Sequence, residues 1–250
     1  MTKTIKITLL LSLVANLAIF YVGYKALEYR SHINVFLEKY EHVSGEFSSR
    51  SEYAEMNPEV ASNTIVDNRI VFFGTQVTQK FDLPKFFPEY DVHNRGVEGQ
   101  RVSGYLLRYK PDVLDLMPRA VVIEISSYNF REYNSIEEIK DYTELLAELA
   151  KYNKIEPFLT TVIKPSKEFE SVVDDKELGD YNVFDSVDVY NNWLRELCQL
   201  NGYVLIDCQN LIGDENGFLA EQFASNLVEP NNEGYAILAK AIKERFESLK

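Results

Sequence analysis

The chain opens on an uncharged stretch. Residues 7–24 (ITLLLSLVANLAIFYVGY) lie between Lys6 and Lys25 and carry no charge. At about 1.5 Å per residue the run reaches roughly 27 Å, near the hydrocarbon thickness of a bilayer. Lys3 and Lys6 precede it, and no small-x-small cleavage site follows. The run therefore reads as a retained signal anchor, with a cleaved signal peptide as the competing expectation. Residues 25–46 are helix-compatible and extend the anchor as a stalk. Residues 47–66 are polar, and Asn57-Pro58 is expected to break any helix there. The expected divisions are 1–24, 25–66 and 67–250.

From residue 67 the pattern alternates. Apolar runs at 69–73, 90–93, 119–125, 156–163 and 203–207 read as buried strands. Helical periodicity fills 99–116, 135–153, 187–200 and 232–249, the last with Tyr235, Leu238, Ile242 and Phe246 on one stripe. Continuous apolar strands separated by helices predict an α/β domain: a five-stranded parallel sheet covered on both faces. In such sheets the ligand crevice lies beyond the carboxyl ends of the strands. That directs attention to 74–80, 94–100, 126–131, 164–185 and 224–231.

Composition narrows the partners. Among 250 residues, 26 Lys and Arg face 39 Asp and Glu, a formal net charge of -13. An acidic chain does not suit a nucleic-acid backbone, so no nucleic-acid partner is expected. All the acids lie beyond residue 24, so anionic lipid would not attract the remainder. Two cysteines and three histidines build neither a disulfide framework nor a repeated zinc module, and no metal or cofactor is implied. Cys198 falls at a helix end and Cys208 just past the following strand, on opposite sheet edges; two buried thiols are expected.

The crevice segments carry a resemblance. IVFFGTQVTQKFDL (70–83), NRGVEGQ (94–100), VVIEISSYNF (121–130) and NLVEPNNEGY (226–235) resemble, in order and spacing, the four blocks of the SGNH or GDSL hydrolases. The esterase and acetylhydrolase-like branch is most similar. The resemblance implies a three-layer α/β/α, flavodoxin-like SGNH hydrolase fold and acyl transfer by a serine, a histidine and an orienting aspartate.

Carried over position by position, that chemistry is replaced. The serine falls on Gln76, the histidine on Glu229 and the aspartate on Asn226. The oxyanion glycine is kept as Gly99, and the oxyanion asparagine becomes Tyr128. Thr75 replaces the aspartate of the first block and Ser126 the glycine of the third. A glutamine amide is not a nucleophile at neutral pH, and a glutamate near pKa 4.3 is mismatched to a base working near pH 7. Asn226 is left with no imidazole to orient. Gln76, Gly99, Gln100, Tyr128, Asn129 and Glu229 are expected to converge as a polar ligand site, with Tyr128 filling the former oxyanion hole.

Other groups bear on rescue of the chemistry. Thr75 and Thr78 flank the nucleophile position on a tight turn. Ser126 and Ser127 are expected to bond local backbone. His93 reads as a packed residue, and Glu98 as a solvated charge that could pair with Glu229 for glycan chemistry. Glu124 sits in an apolar strand and calls for a neighbouring Arg or Lys, an edge position or a partner surface. The acids of 164–185, with Asp188, read as a solvated loop. The expectation is a catalytically inactive, membrane-anchored SGNH-fold protein. It would bind a polar acyl or glycan ligand or scaffold an envelope protein, held by residues 7–24 as a single-pass protein of the cytoplasmic membrane. An inside-N orientation is expected because one short anchor precedes the domain, which would then be extracytoplasmic. An active envelope esterase using substituted residues is the alternative.

Overall fold

The computed structural model describes residues 3–44, 49–62, 67–130, 135–169 and 183–249. Contacts divide the chain into two units, Met1–Phe47 and Ser48–Lys250. The first holds one helix, α1 (Lys3–Ser44), so the stretches expected as anchor and stalk form one continuous helix. Within it Ile5–Asn34 is long and apolar enough to cross a membrane, with a mean hydropathy of 2.1. The stalk residues 45 and 46 lie outside the described residues.

The second unit begins at Ser48, not near residue 67. Asn57-Pro58 starts a helix, α2 (Asn57–Ser62), because proline in the first turn forfeits no hydrogen bond. This segment packs on the domain. The Tyr53 hydroxyl donates to the Gly96 carbonyl at 2.5 Å. Asn57 Nδ2 donates to Asp112 Oδ1 at 2.6 Å, and Arg95 Nε donates to Asn57 Oδ1 at 2.9 Å.

Five parallel strands follow: β1 (Arg69–Gly74), β2 (Asp91–Gly96), β3 (Ala120–Ile123), β4 (Glu156–Thr160) and β5 (Val204–Ile206), in the order β2-β1-β3-β4-β5. Alternation along β1 sets the two cores. Val71 and Phe73 join the cluster beneath α5 (Val102–Asp112), α6 (Ile136–Tyr152) and α7 (Val183–Asn201). Ile70 and Phe72 join the cluster beneath α9 (Asn232–Glu247), whose Tyr235, Leu238, Ile242 and Phe246 stripe is buried as expected. Three short helices sit at the same face: α3 (Gln76–Gln79), α4 (Leu83–Phe86) and α8 (Cys208–Ile212). Cys198 lies in the first core and Cys208 in the second, both as buried thiols.

Two boundaries moved. β2 runs on through Asn94-Arg95-Gly96, placing the second block on a strand in register with β1 up to Gly74↔Gly96. Only glycine fits there: a Cβ on Gly96 would stand 2.2 Å from the Gln79 nitrogen. α7 starts at Val183, so Asp185 belongs to its first turn. Asp188 is exposed on one side but paired on the other, with the buried Lys164 Nζ 2.5 Å from its Oδ2. Of the other acids in that stretch, Glu168 is described, and residues 170–182 lie outside the described residues.

Candidate functional site

The first block turns sharply after β1. Gly74 ends the strand, Thr75 is fully buried, and Gln76 opens α3 half-exposed. A carboxylate organises this turn. Glu124, next after β3, accepts the Thr75 N–H at 2.7 Å, the Thr75 hydroxyl at 3.0 Å and the Thr78 hydroxyl at 3.0 Å. Gly74 leaves room for it, because a Cβ there would come within 2.4 Å of Glu124 Oε2. Burial raises the Glu124 pKa, and the threonine hydrogen bonds oppose that shift. Neither a basic partner nor an edge position therefore explains Glu124: its carboxyl is buried beside a central strand and bonded to Thr75 and Thr78. Thr75 and Thr78 spend their hydroxyls on it, and both are buried.

Gln76 Nε2 reaches Ser126 Oγ at 3.4 Å. The Ser126 hydroxyl also accepts the Tyr128 N–H at 3.0 Å, the local backbone bond expected of it. Tyr128 is half-buried on the 3₁₀ turn Ser127–Phe130. Asn129 is fully buried, and its Oδ1 accepts the Val102 N–H at the start of α5. Gln100 is buried too and accepts from Arg108 Nε. Arg108, itself fully buried, donates to Asp112 and to the carbonyls of Arg95 and Gly74. Gly99 is exposed with φ of +73°, and a Cβ there would meet open space.

The last block holds a second polar cluster. Glu229 is buried, and Lys80 Nζ stands 2.5 Å from its Oε1. Asn226 Nδ2 donates to Glu229 Oε2 at 2.7 Å, while Asn226 Oδ1 accepts the N–H groups of Val228 and Glu229 at 2.9 Å each. Asn226 thus still orients the residue three positions on, although that residue is now a glutamate. The hydrogen bond to Glu229 raises the Lys80 pKa, and the charge of exposed Glu98 adds to this. Glu98 is exposed, and its backbone N–H donates to Gln79 Oε1 at 3.3 Å. Sequence reasoning missed Lys80; the available signal was its place four residues after Gln76, one turn along the same face.

A cavity of about 40 Å³ lies between these clusters and α9. Gln76, Thr78, Glu124, Ser126 and Val228 contribute to its wall, with Phe72, Val122, Leu238 and Ile242 behind them. Gly99, Tyr128, Asn129 and Glu229 lie outside that lining. Ligand pockets for drug-sized molecules run to roughly 300–1,000 Å³, so this space admits a few waters. His93 stands apart in mid-β2, its Nε2 2.9 Å from Asp91 Oδ1 in a geometry outside a hydrogen bond. Burial lowers its pKa.

A parallel five-stranded sheet with these four blocks at its carboxyl edge defines an α/β/α hydrolase scaffold. The model of the GDSL-like lipase/acylhydrolase family matches residues 70–237, and the chain belongs to that family. Among solved structures it is similar to a GDSL-like lipase from Bacteroides thetaiotaomicron, at 25% identity and a TM-score of 0.71, covering 82% of this chain and 100% of that one. It also resembles an acetylxylan esterase from Geobacillus stearothermophilus, at 18% identity and a TM-score of 0.55, covering 72% of this chain and 94% of that one. That esterase is represented by catalytic mutants, one altered at an aspartate and one at a serine. No curated protein matches the chain.

Proposed function

We propose that the chain is a GDSL-family protein that has lost serine-hydrolase activity and acts as a scaffolding or binding module at the cell envelope. Residues 7–24 anchor it in the cytoplasmic membrane, and the Ser48–Lys250 unit lies outside. One observation carries the reading. The residue in the base position, Glu229, is held by Lys80 and Asn226, and the residue in the nucleophile position, Gln76, offers an amide to Ser126. Acyl transfer needs a nucleophile whose proton a neighbouring base can take. The nearby hydroxyls of Thr75 and Thr78 are buried against Glu124.

The small cavity favours a scaffold over capture of a large acyl or glycan ligand. The polar rim of Gln76 and Ser126 still suits a small polar group. The membrane reading is supported by the apolar span Ile5–Asn34 behind Lys3. The test is labelling of the full chain in detergent by a fluorophosphonate, which reports an activated serine or threonine. No labelling is expected. Labelling that disappears in Thr75→Val, Thr78→Val or Ser126→Ala would return the protein to the active esterases.

A further inference from the structure

One face of the sheet's edge strand is polar where the other strands are apolar. The register places Arg69 beside Asp91, Val71 beside His93 and Phe73 beside Arg95. Val71 and Phe73 lie in the core beneath α5, so Asp91, His93 and Arg95 share that side of β2. Residues 49–62 reach both ends of this row. Near its carboxyl end Arg95 Nε donates to Asn57 Oδ1 at 2.9 Å, and the guanidinium lies 4.8 Å from the centre of the Tyr53 ring. Near its other end Arg69, held by Asp91, donates from Nη1 to the Val60 carbonyl at 3.3 Å.

This contact is weakly held. Within 49–62 only Tyr53 and Asn57 are buried. α2 has six residues, too few to stand alone as a helix. The charges beneath it do not balance either. Arg95 and Arg108 are both buried, and the one buried carboxylate beside them, Asp112, gives one oxygen to Arg108 and the other to Asn57. Arg95 Nη2 and His93 Nε2 are buried with no hydrogen-bond partner among the described residues. A buried charge left without a full set of partners opposes the burial that isolates it. Lifting 49–62 returns Arg95 to water.

We propose that residues 49–62 are a strap that opens as a unit while the sheet stays folded, and that its opening loosens the second block. Closed, the strap adds to the stability of the whole unit. It opens before the sheet because its interface is small and polar, the mark of a segment with a low local opening energy. The link to the second block is the Tyr53 hydroxyl, which donates to the Gly96 carbonyl. The loop carrying Gly99 leaves the sheet directly after Gly96. The strap is also the first stretch of the Ser48–Lys250 unit, so a load on the preceding chain acts on it before any strand. Whether the site turns over esters does not enter this inference.

The test is hydrogen exchange of the full chain in detergent, read by mass spectrometry over a series of urea concentrations below the unfolding transition. The Asn57 and Val60 N–H groups donate to the carbonyls of Tyr53 and Met56. They are expected to exchange more slowly than in an unstructured peptide, yet at least tenfold faster than the amides of β1 and β3. Urea should speed the strands steeply and the strap little, because the urea dependence follows the surface exposed on opening. Ile242→Ala, in the core on the other face of the sheet, should speed the strands at least tenfold and leave the strap within twofold. Asn57→Ala should speed the strap and the peptide 97–101 together, at least tenfold. Strap amides that match the strands in rate and urea slope would make 49–62 part of the sheet's own unit. Strap amides with no protection would mean that it does not close. A peptide 97–101 unmoved by Asn57→Ala would detach the strap from the second block. Each of these three results overturns the proposal. The urea series uses the unaltered chain, so the test survives a variant that fails to fold.

Discussion

Asn226 grips Glu229 twice, its Nδ2 on Oε2 at 2.7 Å and its Oδ1 on the Glu229 N–H at 2.9 Å. With Lys80 on the other carboxylate oxygen, the position the family gives to a general base becomes the centre of a structural ion pair. The pair is half open to solvent on the lysine side, so its contribution to stability is modest, about 1 kcal/mol. Its larger consequence is occupancy, because a carboxylate tied at both oxygens is not free to take a proton from position 76.

That geometry makes a prediction about restoring activity. Gln76→Ser, Asn226→Asp, Glu229→His and Tyr128→Asn together rebuild the family pattern, yet Lys80 would then face the new imidazole and hold it neutral or displaced. Adding Lys80→Ala removes that cation. The five-fold variant is expected to label with a fluorophosphonate, and the four-fold variant at least tenfold less, since triad members act as a unit. Equal labelling would show that Lys80 does not control the position.

The α2 segment is predicted to belong to the domain energetically. Asn57→Ala strips partners from buried Asp112 and from Arg95 Nε. Leaving buried polar groups unpaired costs about 2 kcal/mol, or roughly 4–8 °C in melting temperature for a domain of this size. A thermal melt of the Asn57→Ala chain checks this. An unchanged midpoint would return residues 49–62 to the role of a linker.

Glycine positions separate two kinds of constraint. Gly96→Ala drives a Cβ into the backbone of Gln79 and is expected to cost at least about 3 kcal/mol. Gly99→Ala meets no neighbour and costs only its left-handed φ, about 1 kcal/mol. Denaturant midpoints of the two variants should fall in that order. The reverse order would mean that the second block is held differently.

Glu124 predicts a pH signature. Its folded pKa is raised above the ordinary 4.5, chiefly by burial. The unfolded chain therefore releases this proton first. The stability contributed by the neutral carboxyl is full below about pH 4.5 and is lost as pH rises through the folded value. Glu124→Gln removes that titration, so the melting temperature of the wild type minus that of the variant should decline as pH rises from 4 upward. A difference that stays constant across the range would show that Glu124 titrates normally.

The sheet, its helices and the buried α9 stripe were legible in the sequence because apolar periodicity is a local signal. The four blocks were legible for the same reason: each is a short, contiguous string. What escaped was contact between distant residues. Glu124 was visible as an anomaly in an apolar strand, but its answer lay 49 positions upstream in the Thr75 N–H and hydroxyl. Lys80 reaches Glu229 across 149 positions; its place one turn after Gln76 marked its face, but the contact itself is set only by the fold. Asn129 and Gln100 were assigned to the ligand site by their place in the blocks. Their burial, and their bonds to the start of α5 and to Arg108, follow from packing that only the fold sets.

Aryl-ester turnover by the full chain tests the central claim most directly, measured beside Gln76→Ala, Glu229→Ala and Thr75→Ala. The expected result is hydrolysis no faster than the buffer control, with all four proteins indistinguishable. Turnover by the wild type that vanishes in any one of the variants would contradict the account.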